Sequence, residues 1–588
     1  MPKSDATFAR LLQALLPQPI PFVLLGAALL AFVIYGVLPF MGMSQFGYLL
    51  SLSKLLILVI ALVGVPGYII YWRWLVQTPS RALIGMLVGF PLSAHFADQL
   101  MRYAGVNLRF RWFGYALFII PSLWVVFRHR QLFWQHTKRL MPIRIYGTFL
   151  AVLLVFAFVN NHFNADIGLM GPGLWDGDSL AVRTISSHIN VMIVMALGWI
   201  LCTETQAEPL FTKAFGIVRA LCIMSAITCA YTLIGIPLGL TTAVIEGYTR
   251  ATGIFNHPNP LAHHTGMLTL LFLSIYLFCQ HQQTVFQAQA SRSAPQVVLG
   301  NKAQPLPAGS GFFAPWRQGV VGKNLMWLVI GLVANIIVLL IGLSKTAIAV
   351  TAAGMALMFV LCSGLPTARK LGLTIGGILV AMIPVGILAY NLITGQDFMD
   401  TVNARLEDTN SLTWRENVWA YLESQIEGAN LFTGHGFLAA NESMFQYLFN
   451  AFDEDLLNPV ILVHNGYLNL LYDFGLWGLI YFAGILWLLL QQGALYIAAW
   501  GHNNPLAERL PLVGGGVAMA FYFSFGARYD ELVTMFDACF LFWFSVTMVF
   551  WLASMPTDVL QAVVSTDNTS PQPNGLIISQ RPSGTQRT

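Results

Sequence analysis

Continuous runs of Leu, Ile, Val and Phe recur along the chain between short polar junctions. They show neither the one-sided stripe of a surface helix nor the alternation of a half-buried strand. Helices that are apolar on every side suit hydrocarbon, and about 20 residues cross a core of ~30 Å. The pattern predicts fourteen spans, near 20–42, 51–72, 82–100, 112–127, 144–160, 188–203, 214–238, 261–280, 325–343, 346–363, 371–393, 469–497, 510–527 and 533–553. An outer-membrane barrel is excluded because its strands alternate lipid-facing and lumen-facing residues, and helices are the other way to satisfy a backbone in lipid. The expected fold is therefore all-α: a polytopic integral membrane protein of about 14 transmembrane helices. The first run is too long for the apolar region of a signal peptide and no small-x-small cleavage site follows it, so it is expected to remain as an anchor.

Composition agrees, with 588 residues, 56% hydrophobic and 10% charged. Charge then sets the orientation, since cationic loops resist translocation. With the N-terminus inside, nineteen of the thirty Lys and Arg fall on inner segments and nine on outer ones, leaving Lys54 and Arg219 within spans. Inside are then the basic 128–144 loop, the Gln/Ala/Pro-rich 281–324 loop and a Ser/Thr/Pro/Gln-rich tail over 555–588, expected to be disordered. The net charge of +4 is explained by these loops and gives no clustered basic face for nucleic acid. Cys202, Cys222, Cys229, Cys279, Cys362 and Cys539 lie in or at the edge of spans, without CxxC metal spacing.

The outer loop of about 395–464 differs from the rest, carrying eleven acids against two cations, Arg405 and Arg415. Within it, Thr413-Trp-Arg-Glu-Asn-Val-Trp-Ala-Tyr-Leu-Glu-Ser-Gln-Ile has apolar residues at helical spacing. It predicts an amphipathic helix capped by Thr413 or Ser411. Gly434-His-Gly436 then breaks the chain, giving a compact helical cap over the outer side of the membrane. Two polar junctions lie on the same outer side: Arg250-Ala-Thr-Gly-Ile-Phe-Asn-His-Pro-Asn259, and Val463-His464-Asn465-Gly466-Tyr467 at the end of the acidic loop.

Each cation there has an ordinary reading. Arg415 could pair with acids one helical turn away, Arg250 stands beside a helix end near Glu246, and Lys345 after Ser344 could snorkel to headgroups. His464 could be a neighbour of a helix N-cap supplied by Asn465. Together, Arg250, Lys345, Arg415 and His464 form a different set. Arginine meets phosphate oxygens with a planar fork and lysine adds a point charge, as a diphosphate leaving group requires, while imidazole can take a proton near neutral pH.

The order Arg250-x-x-Gly253…Asn256-x-Pro-Asn259, Ser344-Lys345, Arg415-x-x-x-Trp419, Gly434-x-Gly436 and His464-Asn465…Gly475-x-x-Gly478 resembles the O-antigen ligase and polymerase superfamily of bacterial envelope proteins. The resemblance covers roughly 185–500 and divides the chain into amino-terminal helices (1–184), a catalytic membrane domain (185–500) containing the 395–464 loop, carboxy-terminal helices (501–554) and the tail (555–588). It implies metal- and cofactor-independent glycan transfer at the periplasmic face of the inner membrane, from a donor on undecaprenyl diphosphate. His464 would be the general base on the acceptor hydroxyl, and Arg250 and Arg415 would hold the diphosphate. Lys345, Asn256, Asn259, Asn465 and Trp419 would line the substrate site. The family usually has Arg at the position of Lys345, where lysine keeps the charge but lacks the bidentate fork. Implied partners are the lipid-linked donor, a glycan or lipid A core acceptor, membrane lipids, a polysaccharide flippase and a chain-length regulator. The size and long inner loop favour a polymerase of O-antigen or exopolysaccharide, with a ligase acting on lipid A core as the alternative.

Two other readings compete. His257, His263 and His264 could suggest a metal, but adjacent helical residues project about 100° apart and neither Cys nor carboxylate completes the set. A transporter of bicarbonate or another small solute would use the intramembrane Lys54, Asp98, Arg219 and Asp537 and the Gly64-Val-Pro66-Gly67 interruption. Against it, the halves show no repeat and the polar residues gather on one face. Asp530 and Glu531, after Arg528, could orient sugar hydroxyls.

Overall fold

The computed structural model describes residues 71–92, 115–131, 141–163, 180–203, 210–245, 248–255, 258–293, 319–365, 410–437, 463–499, 509–529 and 541–545, with isolated positions near 372–391 and 439–447. The predicted spans 20–42 and 533–553 lie wholly or mostly outside these residues, as do nearly all of 51–72 and 371–393; the tail lies wholly outside. Helices occupy the described parts of the other predicted spans: α1 (Pro79–Ile84), α2 (Ile120–Arg128), α3 (Met141–Phe163), α4 (Leu180–Thr203), α5 (Leu210–Gly235), α6 (Pro258–Ser293), α7 (Gly319–Ile341) and α8 (Lys345–Leu361). The cap and the carboxy-terminal part follow as α9 (Asn410–Ser424), α10 (Asn430–Thr433), α11 (Gly466–Phe474), α12 (Ile480–Ala499) and α13 (Leu510–Gly526).

Phe215–Gly235 and Pro258–His281 are long and apolar enough to cross a membrane. Large apolar side chains stand exposed in stripes, Ile223, Ile227 and Ile234 on α5 and Met326, Ile330 and Val333 on α7. Such faces would be a liability in water and are favourable against lipid.

The central element is α6. It packs against α7, α8 and α13, and its membrane-length window is buried throughout. Thr265 and Thr269 satisfy their hydroxyls on the carbonyls of Leu261 and Thr265, at 2.9 and 2.8 Å, so polar residues are tolerated in this dry position. Ser274 donates to the carbonyl of Pro511 on α13 at 3.0 Å. Among the amino-terminal helices, Tyr146 of α3 meets His188 of α4 at 2.6 Å.

Three local findings depart from the sequence expectation. The all-α reading misses a two-stranded antiparallel hairpin, β1 (Thr242–Ile245) and β2 (Tyr248–Ala251), which pairs Ala243 with Arg250. The apolar stretch read as one span over 469–497 is interrupted: α11 ends at Gly475, a 3-10 turn covers Gly475–Leu479, and α12 starts at Ile480. Residues of α11 therefore serve the cap as well as the bundle. Finally, α9 begins at Asn410, so Ser411 and Thr413 lie inside it and neither is its N-cap. Its amphipathic design holds, with Val418, Trp419 and Leu422 buried and Glu416 and Glu423 exposed.

Candidate active site

Side-chain contacts fix how the central helices align. His263 of α6 meets the Tyr522 hydroxyl of α13 at 2.8 Å, and Ser274 reaches Pro511, so these helices are antiparallel. Gly266 and Gly354 lie against Thr351 and Leu270, so α6 and α8 run parallel. Asn259 stands four residues before His263, and Gly526 four after Tyr522, about 6 Å along each helix at 1.5 Å per residue. The N-termini of α6 and α8 and the C-terminus of α13 consequently meet at one end of the bundle. Neither N-terminus carries an acid in its first turn. Their positive dipole ends thus make an anion-favouring floor.

The first wall of this end is built on the hairpin. Arg250, 4% exposed on β2, donates from Nε to the carbonyl of Gly342 at 3.2 Å and from Nη2 to Oδ1 of Asn259 at 3.0 Å. It ties the end of α7 to the start of α6. Gly253, at φ +56°, sits where a Cβ would come within 2.8 Å of the Thr232 hydroxyl, which allows the tight return from the hairpin into α6. Lys345 opens α8 and is exposed. A cation at a helix N-terminus opposes the macrodipole by roughly 0.3–1 kcal/mol, a cost that an anion bound there would offset. Asn256 and His257 lie outside the described residues.

The cap supplies a second wall. Arg415 of α9, half-buried, donates from Nη1 to the carbonyl of Tyr529 at 3.1 Å. One turn on, Trp419 is buried and its Nε1 donates to the carbonyl of Val463 at 2.8 Å. Arg528 lies over the Trp419 ring, with Cζ 4.4 Å from the centroid. The amide of Gly466 donates to Ala527 at 2.7 Å, and the Tyr467 hydroxyl donates to the carbonyl of Ser524 at 2.9 Å. Burial raises the Tyr467 phenol above its ordinary value, keeping it a donor. The 463–467 segment is thereby held against the end of α13 on one side and α9 on the other.

His464 is the half-buried residue in the middle of this clamp. Its backbone is left-handed, φ +54°. A non-glycine residue there is uncommon and costs roughly 1–2 kcal/mol, strain that surrounding contacts must over-determine. Asn465 is 2% exposed and caps α11 by accepting from the Leu468 amide at 3.2 Å. The cap reading of Asn465 is therefore what the geometry gives, and Trp419 likewise serves protein partners.

The glycines join the cap to α11. Gly434 and Gly475 adopt φ +68° and +59°, and a Cβ on Gly475 would lie 2.6 Å from the carbonyl carbon of Phe432. That close approach lets His435 and Gly436 donate backbone hydrogen bonds to Tyr472 and Asp473, each at 2.8 Å. The buried Asp473 carboxylate accepts from the Ala440 amide at 2.8 Å.

His263 and His264 are directed to different neighbours, Tyr522 and, with ring centroids 5.2 Å apart, Phe255. Among the described residues no group of three His, Cys, Asp or Glu could hold a metal. Asp530 and Glu531 lie outside the described residues. Sequence reasoning gave no role to Arg528, because the contact joins positions far apart in the chain, to Tyr467, named only as the end of the polar junction, or to Tyr522, which reads as an ordinary apolar-span aromatic.

The family model described as O-antigen ligase matches residues 330–483. The matched stretch contains Lys345, Arg415, Trp419, His464, Asn465 and the Gly434–Gly475 clamp, whereas Arg250 and Arg528 lie outside it. No curated protein matches the chain.

Proposed function

We propose that this chain, whose residues 330–483 match the O-antigen ligase family, of polytopic membrane proteins that transfer lipid-linked glycans, moves a glycan from undecaprenyl diphosphate to an acceptor hydroxyl at the periplasmic face of the inner membrane, polymerising O-antigen or exopolysaccharide units. The observation that supports this reading is the convergence of Arg250, Lys345, Arg415 and His464, from four separate segments, at the end of the bundle where two helix N-termini meet.

In this reaction His464 takes the proton of the acceptor hydroxyl, and the oxygen attacks the anomeric carbon from the side opposite the diphosphate. The bond from that carbon to the diphosphate oxygen breaks, its electrons stay on the oxygen, and the anomeric configuration inverts. Fixed cations are worth most against that developing charge in a water-poor site. Arg250 and Arg415 are braced by carbonyl and amide acceptors and need little reorganisation. Lys345 contributes charge without a fork. The chemistry needs neither metal nor cofactor.

The match to an O-antigen ligase family favours a second version, transfer to lipid A core. Purified protein given lipid-diphosphate glycan, with and without lipid A core, separates them. Chain elongation without core supports the polymerase, capping of core alone supports the ligase, and consumption of donor in neither would sink both.

A further inference from the structure

Arg250 is buried with two protein acceptors, and Arg415 is half-buried with a third. Arg528 is exposed on the turn that follows α13. An arginine on such a turn normally samples many rotamers. Here both neighbouring backbone positions are fixed, since the Ala527 carbonyl accepts from Gly466 and the Tyr529 carbonyl from Arg415. The guanidinium itself rests on the Trp419 ring. That ring is held in turn by the Val463 carbonyl, one residue before His464. A cation–π contact orients a guanidinium without neutralising it, leaving its charge and in-plane N–H groups suited to an anionic oxygen.

The geometry points to Arg528 as a substrate-binding residue: a further guanidinium that grips the donor's diphosphate alongside Arg250 and Arg415, presented on the Trp419 ring beside His464. This rests on the transferase reading above and deepens it, adding a contact from outside the matched domain. The coupling has a mechanistic consequence. The same indole that presents Arg528 to the leaving group fixes the carbonyl preceding the base, so the positions of donor and base are linked through one side chain.

The test uses full-length protein in detergent, with inorganic pyrophosphate as competitor. For Arg528→Gln, we expect the KM for lipid-diphosphate glycan to rise about tenfold, the scale of one lost charge-assisted contact. Pyrophosphate inhibition should weaken by a similar factor, with kcat changing less. Arg528→Lys keeps charge and ring contact but not the fork, and should lie between. Wild-type KM and inhibition in Arg528→Gln overturn the inference. If that variant does not fold, wild-type values in Arg528→Lys overturn it instead. An inactive wild type would sink the transferase reading, yet direct pyrophosphate binding to wild type and variant would still decide Arg528. A defect seen in phosphatidylglycerol vesicles but not in phosphatidylcholine would assign Arg528 to lipid headgroups and overturn it.

Discussion

The left-handed backbone of His464 makes a prediction that separates catalysis from stability. At φ +54° an L-residue is strained by roughly 1–2 kcal/mol, whereas glycine is not. Glycine gains entropy in the unfolded chain, worth about 0.4–1 kcal/mol against alanine. Both His464→Ala and His464→Gly delete the ring and its contacts, so comparing them isolates the backbone. Taking about 1.5 minus about 0.7, His464→Gly should be the more stable by about 1 kcal/mol. That reverses the usual order of the two residues within regular structure. Both should lose glycan transfer by ~10²-fold or more, the scale of losing a positioned proton acceptor. Thermal unfolding of the two purified variants in the same detergent reads the first effect, and transfer from lipid-linked donor reads the second. A His464→Ala protein more stable than His464→Gly would show that the position is not strained as described. Normal transfer by either would show that His464 is only the residue before a helix cap.

Arg415→Lys should retain part of the activity and Arg415→Ala very little, because charge without the fork still steadies a diphosphate; equal activity of the two on a polymer-length gel would contradict this. Chelator treatment should leave turnover unchanged, and a loss that zinc, magnesium or calcium restores would favour a metal centre instead. A cysteine introduced near Glu442 should react with a membrane-impermeant maleimide in cells with a permeable outer membrane, and one near Gln296 should not. Reversed labelling would place the cap inside.

Much of this architecture is written in local sequence. All-round apolarity predicts α5 to α8 and α13, because their residues meet either lipid or other helices on every side. Asn465 before Gly466 reads as a helix start, and it is one. The hairpin was hidden by its neighbour: Thr-Ala-Val-Ile and Tyr-Thr-Arg-Ala flank Glu246-Gly247 with β-branched residues around a glycine turn, but they continue the apolar run of α5. The break at Gly475-Leu-Trp-Gly478 was masked because its residues are as apolar as the span beyond it. At the site, residue types were legible and their partners were not. That Arg250 reaches Gly342, and Arg528 reaches Trp419, depends on how α6, α7, α9 and α13 pack, which periodicity does not encode.

The central claim is that His464 removes a proton from the acceptor while this end of the bundle holds a lipid diphosphate. The most direct measurement compares wild type with His464→Gln, which keeps hydrogen bonding but is a poor proton acceptor, using purified protein, lipid-diphosphate glycan and acceptor. The account predicts turnover by wild type and a fall of ~10²-fold or more in kcat for His464→Gln, with pyrophosphate inhibition retained. A His464→Gln protein that elongates glycan at the wild-type rate would contradict it.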